Sequence, residues 1–325
     1  MRRSRSSAAC LLVLVAAART ASAQSIAEGG AFLLLPVGAR ATALGQAATA
    51  DGGTTEALFW NPAGLASMHK GEAAIHHFSA FAGNGDALAI ATTPSSIGTF
   101  GLAFYVLDYG TVPTTLPGGT QVGEVTARNL TLQAAYATEI VSGISAGIMY
   151  KLVQFRVDCG GDCSTVPTGV GTTHAVDVGV QWTTGDASRL VIGAMLRNLG
   201  FPLQVNNEAQ ADPLPTSLSV GAKWVPVRPP AGVEGLDVVL LADVQSPVSS
   251  GGGLDPAPAI GVESGVRDIV RLRFGYAFLN SEARGPSLGI GLHTGRLGVD
   301  LTRTFYASDA FADQEPVHVS LRLAL

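Results

Sequence analysis

The sequence predicts an all-β transmembrane chain: an antiparallel outer-membrane β-barrel of about fourteen strands, preceded by a partly helical N-terminal plug. Three observations carry this. From Glu72 onward, runs of roughly ten residues alternate apolar and polar side chains, the weak but repeated pattern of a strand with one face toward lipid. Mean hydropathy is +0.31, yet no stretch reaches the ~18 consecutive apolar residues of a spanning helix. The connections between runs alternate short and long, as in bacterial barrels, and a soluble sandwich has no reason to do this.

Taken in order, residues 1–23 read as a secretory leader. Arg2, Arg3 and Arg5 precede an apolar run from Ala8 to Ala18 and the small triplet Ala21-Ser22-Ala23, so cleavage is expected before Gln24. The leader holds four of the 20 basic residues, leaving 16 against 25 acidic ones, a formal charge of −9. That balance excludes nucleic acid as a partner. Charged residues make up only 14% of the chain, so an exported chain this apolar must hide its surface in a large core or against lipid.

Residues 24–70 lack the two-residue period. "GARATALGQAATA" and "TTEALFW" read as short helices of small residues, separated by Asp51-Gly52-Gly53. A barrel of about fourteen strands lies between the ~8 whose side chains fill the interior and the ~16 that leave a channel. Its lumen needs a filling, and this segment is available.

Residues 71–325 form the expected barrel, with strands near 71–82, 85–94, 98–110, 123–139, 143–158, 172–184, 188–200, 215–226, 236–247, 257–268, 270–280, 285–295, 297–308 and 315–325. The last is the clearest: Val317, Val319, Leu321, Leu323 and Leu325 share one face and His318, Ser320, Arg322 and Ala324 the other. If the first strand runs outward, the periplasmic connections "SSI", "VSG", "GDA", "RDI" and "TGR" are tight and only "PVRPPAGVEG" is loose. The outer ones include "TVPTTLPGGTQVG", "DCGGDCSTVPTGVG", "FPLQVNNEAQADP" and "SPVSSGGGLD".

The alternation places charges inside: Asp177, Arg197, Lys223, Asp237, Asp243, Glu263, Arg267, Arg271, Arg273, Asp300 and Arg322. A base at the lipid-facing midplane costs about 2–4 kcal/mol, so the inward phase is preferred. Structural pairing between plug and wall is the plain reading of these charges, and a selectivity role the sharper one. Trp182, Trp224, Tyr109, Tyr150 and Tyr306 near strand ends suit interfacial girdles.

Cys159 and Cys163, a C-x3-C in an exported chain, read by default as a local disulfide in an outer loop. A metal site is the weaker alternative, since His174 is the only nearby imidazole and no second cysteine pair completes a tetrahedral set. Catalysis finds no support: no G-x-S-x-G or H-E-x-x-H occurs, and no histidine is tied by spacing to a nucleophile and an acid. No cofactor is expected.

One block is more specific than these patterns. "FLLLPVGARATALGQAATADGGTTEALFWNPAGLA", residues 32–66, resembles the opening of the PorV/PorQ family of the FadL-like barrel superfamily. The shared elements are the start with Pro36, Gly38 and Arg40, the small-residue stretch around Gly45, and the close at Phe59, Trp60, Asn61, Pro62, Ala63 and Gly64. "RNLG" at 197–200, "LPTSLSVGAKW" at 214–224 and "RLRFGYAF" at 271–278 extend the likeness. The resemblance implies a fourteen-stranded barrel in the bacterial outer membrane, with its N-terminal segment folded into the periplasmic end. It further implies that Asn61, Pro62 and Ala63 form a turn of the plug near a lateral break in the wall. Outer-membrane lipid is then the surroundings. The implied partners are secreted cargo proteins with C-terminal sorting domains and other type IX secretion components. For a FadL-like passive channel, the alternative, the partner is a hydrophobic small molecule such as a fatty acid. The chain departs from the pattern at Leu325, where outer-membrane barrels usually end in an aromatic. On this reading the Asn61-Pro62 turn is the seam between plug and first strand.

Overall fold

Alternating apolar and polar residues commit each run to a strand with two unlike faces, and only a closed sheet leaves no unpaired edge in lipid. The computed structural model describes residues 30–325 except 81–82, 95–96, 164–167, 185–188, 205–210, 227–235, 249–254, 267–268, 279–283 and 306–314. The proposed leader, Arg267 and Tyr306 lie outside the described residues.

Fourteen strands close into one antiparallel barrel in which each pairs with its sequence neighbours and the first with the last. They are β1 (Glu72–Ala80), β2 (Gly83–Thr92), β3 (Thr99–Thr115), β4 (Gln121–Val141), β5 (Ile144–Gly161), β6 (Gly169–Thr183), β7 (Leu190–Gly200), β8 (Ser217–Trp224), β9 (Leu236–Pro247), β10 (Ala257–Val266), β11 (Val270–Phe278), β12 (Arg284–Thr294), β13 (Leu297–Thr304) and β14 (Val317–Ala324). Closure runs in continuous register from Glu72↔Ala324 to Ser79↔Val317. Leu321 and Leu323 face outward, while His318 and Ser320 are buried inside.

Strand lengths depart from expectation on one side. The two stretches read as long loops, "TVPTTLPGGTQVG" and "DCGGDCSTVPTGVG", are largely strand: β3 runs on to Thr115, β4 starts at Gln121, β5 reaches Gly161 and β6 begins at Gly169. Threonine and valine favour the pleat, and a tight turn in which the Leu116 N–H donates to the Thr120 carbonyl at 2.9 Å needs few loop residues. β4 has 21 residues and β14 has 8, against the ~9–11 that cross a bilayer.

The core lies in the lumen. α1 (Ala39–Ala43) packs on β11–β14, and a 3₁₀ helix (Pro62–Ser67) packs on β3–β6, with α2 (Ala57–Trp60) between them in sequence. Phe32, Leu58, Leu65 and Met68 from this internal segment meet Ala74, Ala89, Ala103 and Ala135 of the wall. Small wall residues leave room for a helical filling; small residues in the helices let it sit close. The segment fills the half of the barrel nearest the short turns, which is the periplasmic half in the usual orientation.

Candidate functional site

Pro62 fixes the geometry of its predecessor: Asn61 is extended (φ −153°, ψ 109°), ends α2, and caps the 3₁₀ helix that starts at Pro62. Its Oδ1 accepts from the Ala63 N–H at 3.1 Å, and its Nδ2 donates to the Thr49 carbonyl at 2.7 Å. Gln181 of β6 donates to the same carbonyl at 3.1 Å and to that of Asp51 at 2.7 Å. Asn61 rests on Gly179 and Pro62 on Gly147, positions where any Cβ would collide with the turn. The turn therefore docks on β5 and β6. It is not the seam with β1, because the 3₁₀ helix and residues 68–71 intervene. Ala63 is fully buried, and the Gly64 carbonyl accepts from the Gly53 N–H at 3.0 Å.

The neighbouring aromatics are held by a bulge in β7. Arg197 and Asn198 together oppose Asp177, with Asn198 at φ 55°. Asp177 lies 2.6 Å from the Lys151 ammonium and accepts from the Asn198 N–H at 2.7 Å. Lys151 also donates to the Asn198 side chain at 2.8 Å. The bulge turns Arg197 inward, where it donates to the Phe59 carbonyl at 2.9 Å and lies 5.4 Å from the centre of the Trp60 ring. Trp60 Nε1 donates to the Val37 carbonyl at 2.9 Å.

On the opposite wall the predicted lumen charges form one alternating series. Lys223 meets Asp51 at 2.9 Å; Asp51 pairs with Arg40; Arg40 Nε meets Glu263 at 3.0 Å. Glu263 also holds Arg273, whose NH1 lies 2.6 Å from Asp300, and Asp300 accepts from Arg322 at 2.7 Å. Arg271 pairs with Asp237. Asp243 stands apart and accepts the Ala48 and Thr49 N–H groups at 2.9 and 2.7 Å. Among the motif residues, Pro36 is buried, Gly38 lies against the Glu56 carboxyl, and Gly45, at φ 66°, presses on the backbone of Ile260 and Tyr276. Sequence reasoning missed Lys151, Asn198 and Glu56. Glu56 accepts the Arg40 and Ala41 N–H groups at 3.3 and 3.0 Å, and burial raises its pKa above the ordinary carboxylate range. Its signal was available: it is the one acid inside an apolar helical stretch.

Among the described residues, two small cavities lie beside the segment, of about 10 and 20 Å³. The larger, lined in part by Leu33, Val37, Phe59, Tyr105, Gln133 and Arg197, has room for a water molecule. On the lipid side of β1–β3, by contrast, Ile75, Leu88, Leu102, Phe104, Leu321 and Leu323 border an apolar groove of about 500 Å³.

A family model described as an uncharacterised protein family, UPF0164, matches residues 9–278. The chain belongs to UPF0164. No curated protein matches the sequence. Among solved structures, this UPF0164 barrel is similar to the toluene transporter TbuX of Ralstonia pickettii, at 12% identity and a TM-score of 0.56, covering 88% of this chain and 97% of that one. The toluene transporter TodX of Pseudomonas putida gives 12% identity and a TM-score of 0.56 over 89% and 98%. The monoaromatic hydrocarbon channel CymD gives 12% and 0.58 over 90% and 98%. At such identity the likeness establishes the fold, which is that of bacterial outer-membrane proteins. These neighbours are transporters and channels, not enzymes.

The UPF0164 barrel also carries a wall of its own. Along β4 the outward positions change from Leu132 and Ala134 to Arg128, Thr126 and Glu124, while the inward ones change from Gln133 and Thr131 to Ala127 and Val125. β5 does the same, with Ile148, Tyr150 and Leu152 giving way to Gln154, Arg156 and Asp158 outside, and Phe155 and Val157 inside. An outward face that turns polar suits water rather than acyl chains. Beyond this change β3–β6 extend past the ends of β2 and β7, and the end of β5 carries the Cys159–Cys163 disulfide. Arg128 pairs with Asp108 and Arg156 with Asp158 on the polar side. Trp182 and Trp224 face outward at the turn ends of β6 and β8, as girdle residues would. Tyr109 does not: it continues the inward series of β3, and Asn129 donates to its hydroxyl.

Proposed function

We propose that this chain is an outer-membrane barrel of the FadL-like kind that binds hydrophobic small molecules and passes them inward. The observation that carries the reading is the division of the lumen. β8–β14 line it with a series of paired charges, whereas β1–β5 contribute mostly Ala74, Phe78, Ala89, Ala103, Leu107 and Met149 beside the polar His76, Thr131, Gln133 and Lys151. A pore for hydrophilic solutes has a polar lining throughout; a lining that is largely apolar on one side suits a solute that avoids water. The transport of toluene and other monoaromatic hydrocarbons by TodX, TbuX and CymD agrees in kind. In this reading residues 1–23 are a removable leader and residues 24–70 act as plug, with Asn61-Pro62 and Phe59-Trp60 at its contact with the wall. Uptake of labelled toluene and of oleate by cells with and without the protein is the test. A deletion that slows either, restored by the gene, supports the reading; unchanged uptake of both removes it.

A second reading, a PorV/PorQ-like component of type IX secretion, is favoured by the raised β3–β6 sheet, a surface larger than a small-molecule channel needs. Its partners would be cargo with C-terminal sorting domains. Co-purification of such cargo, lost when the sheet is trimmed to the length of its neighbours, supports it; absence of cargo in a strain with working type IX machinery counts against it.

A further inference from the structure

The internal segment is fastened differently on its two sides. Toward β4–β6 it touches glycines, and its Thr49 and Asp51 carbonyls accept from Gln181. Toward β8–β14 Arg40 stands between Asp51 of the segment's own second half and Glu263 of β10. Arg40 uses all three guanidinium nitrogens: NH1 toward Asp51, Nε and NH2 toward Glu263, the last two at 3.0 and 3.3 Å. Lys223 of β8 adds a second cation to Asp51 at 2.9 Å, and Arg273 fixes Glu263 from behind. One carboxylate and one guanidinium of the segment are thus interleaved with one carboxylate and one ammonium of the wall. Arg40 is 12% and Glu263 5% exposed at the side chain, so water screens the arrangement weakly.

We propose that the Arg40–Asp51–Glu263–Lys223 cluster is an ionic latch that keeps the segment seated and the lumen shut, and that Arg40 is its positioning residue. The contacts toward β4–β6 are glycine contacts and neutral hydrogen bonds, so on that side no ion pair among the described residues ties the segment to the wall. Leaving the latch strands two carboxylates and an ammonium together, so the segment either stays seated or leaves as a unit. The resting barrel is then closed to ions. The proposal concerns whether the lumen is shut and not what passes through it, so failure of hydrocarbon uptake leaves it standing.

The test is ion conductance of purified full-length protein in planar bilayers with potassium chloride as the only probe, each variant first shown to form a heat-modifiable barrel on gels. Wild type is expected to be silent. Arg40→Ala should raise the open fraction on the order of a hundredfold, Arg40→Lys should fall between, since an ammonium keeps the charge without the fork, and Arg156→Ala, on the exposed outer face of β5, should stay silent. If Arg40→Ala does not fold, Lys223→Ala, at the rim of the cluster, is read by the same criterion with a smaller rise. A conducting wild type, or a folded latch variant as silent as wild type, overturns the proposal.

Discussion

The Asn61 carboxamide donates to the Thr49 carbonyl at 2.7 Å while its oxygen lies directly over the bare Cα of Gly179. The Asn61-Pro62 turn, the upstream turn at Thr49 and one wall strand are thereby brought together at a single side chain. Asn61→Ala removes a cap worth about 1 kcal/mol and leaves a buried carbonyl with Gln181 as its remaining partner, so a loss of roughly 1–3 kcal/mol is expected. Gly179→Ala keeps every hydrogen-bonding group but drives a methyl into the Asn61 oxygen, and should cost at least as much. Unfolding midpoints in detergent report both. An Ala at 179 without effect means that the turn does not rest on β6.

The Lys151–Asp177 pair offers a cleaner energetic contrast, because both partners are buried and share Asn198. Asp177→Asn should destabilise by about 3–5 kcal/mol, since it leaves an ammonium without its counter-charge in a dry lumen. Replacing Lys151 by Met and Asp177 by Leu together should cost markedly less than Asp177→Asn alone. Denaturant titration of the three proteins decides it; a double variant worse than the single one would show that Asn198 and the bulge, not the ion pair, carry the stability.

The strands were legible because lipid enforces a two-residue period on every one of them: Leu272, Phe274 and Phe278 face out because anything polar there would meet acyl chains. The inward charges followed from the same phase. Toward the far ends of β3–β6 the rule lost its force, and these Thr- and Gly-rich ends passed for loops although in β4 the alternation continues with the sides exchanged. Lys151 escaped because its neighbours on β5, Met149 and Val153, are apolar on the inward side too, which hides the phase. Asn198 escaped because a bulge shifts the register by one residue after Arg197, and no local sequence rule marks it. Which charge meets which, Arg40 with Glu263 across 223 positions, is a property of closure and not of any window of sequence.

Glu56 gives the internal segment a pH dependence of definite sign. Burial is the main cause of its raised pKa, opposed by Arg322 and by the N–H groups it accepts. A raised folded-state value means that the protonated form is favoured by folding. The contribution is therefore fully present below the unfolded value of ~4.3 and is lost as pH rises through the folded one. Glu56→Gln, which keeps an acceptor for the α1 N–H groups and does not titrate, should match wild type in acid and become the more stable protein as pH rises. Midpoints of wild type and variant measured across pH that stay parallel throughout would show that folding leaves the pKa of Glu56 unshifted.

The Cys159–Cys163 disulfide closes a short ring at the tip of the raised sheet, far from the lumen. Loop closure this local constrains the unfolded chain by roughly 2 kcal/mol at most, and the tip can open without disturbing the barrel below. Cys159→Ser with Cys163→Ser should leave heat-modifiability and the main unfolding transition unchanged, while making the β5–β6 connection more sensitive to external protease on whole cells. The same comparison separates the two functional readings. If the raised sheet is only a rim, small-molecule uptake by the double variant is unaltered and nothing else changes. If the sheet is where cargo docks, a loosened tip lowers cargo retention at the cell surface while uptake stays constant.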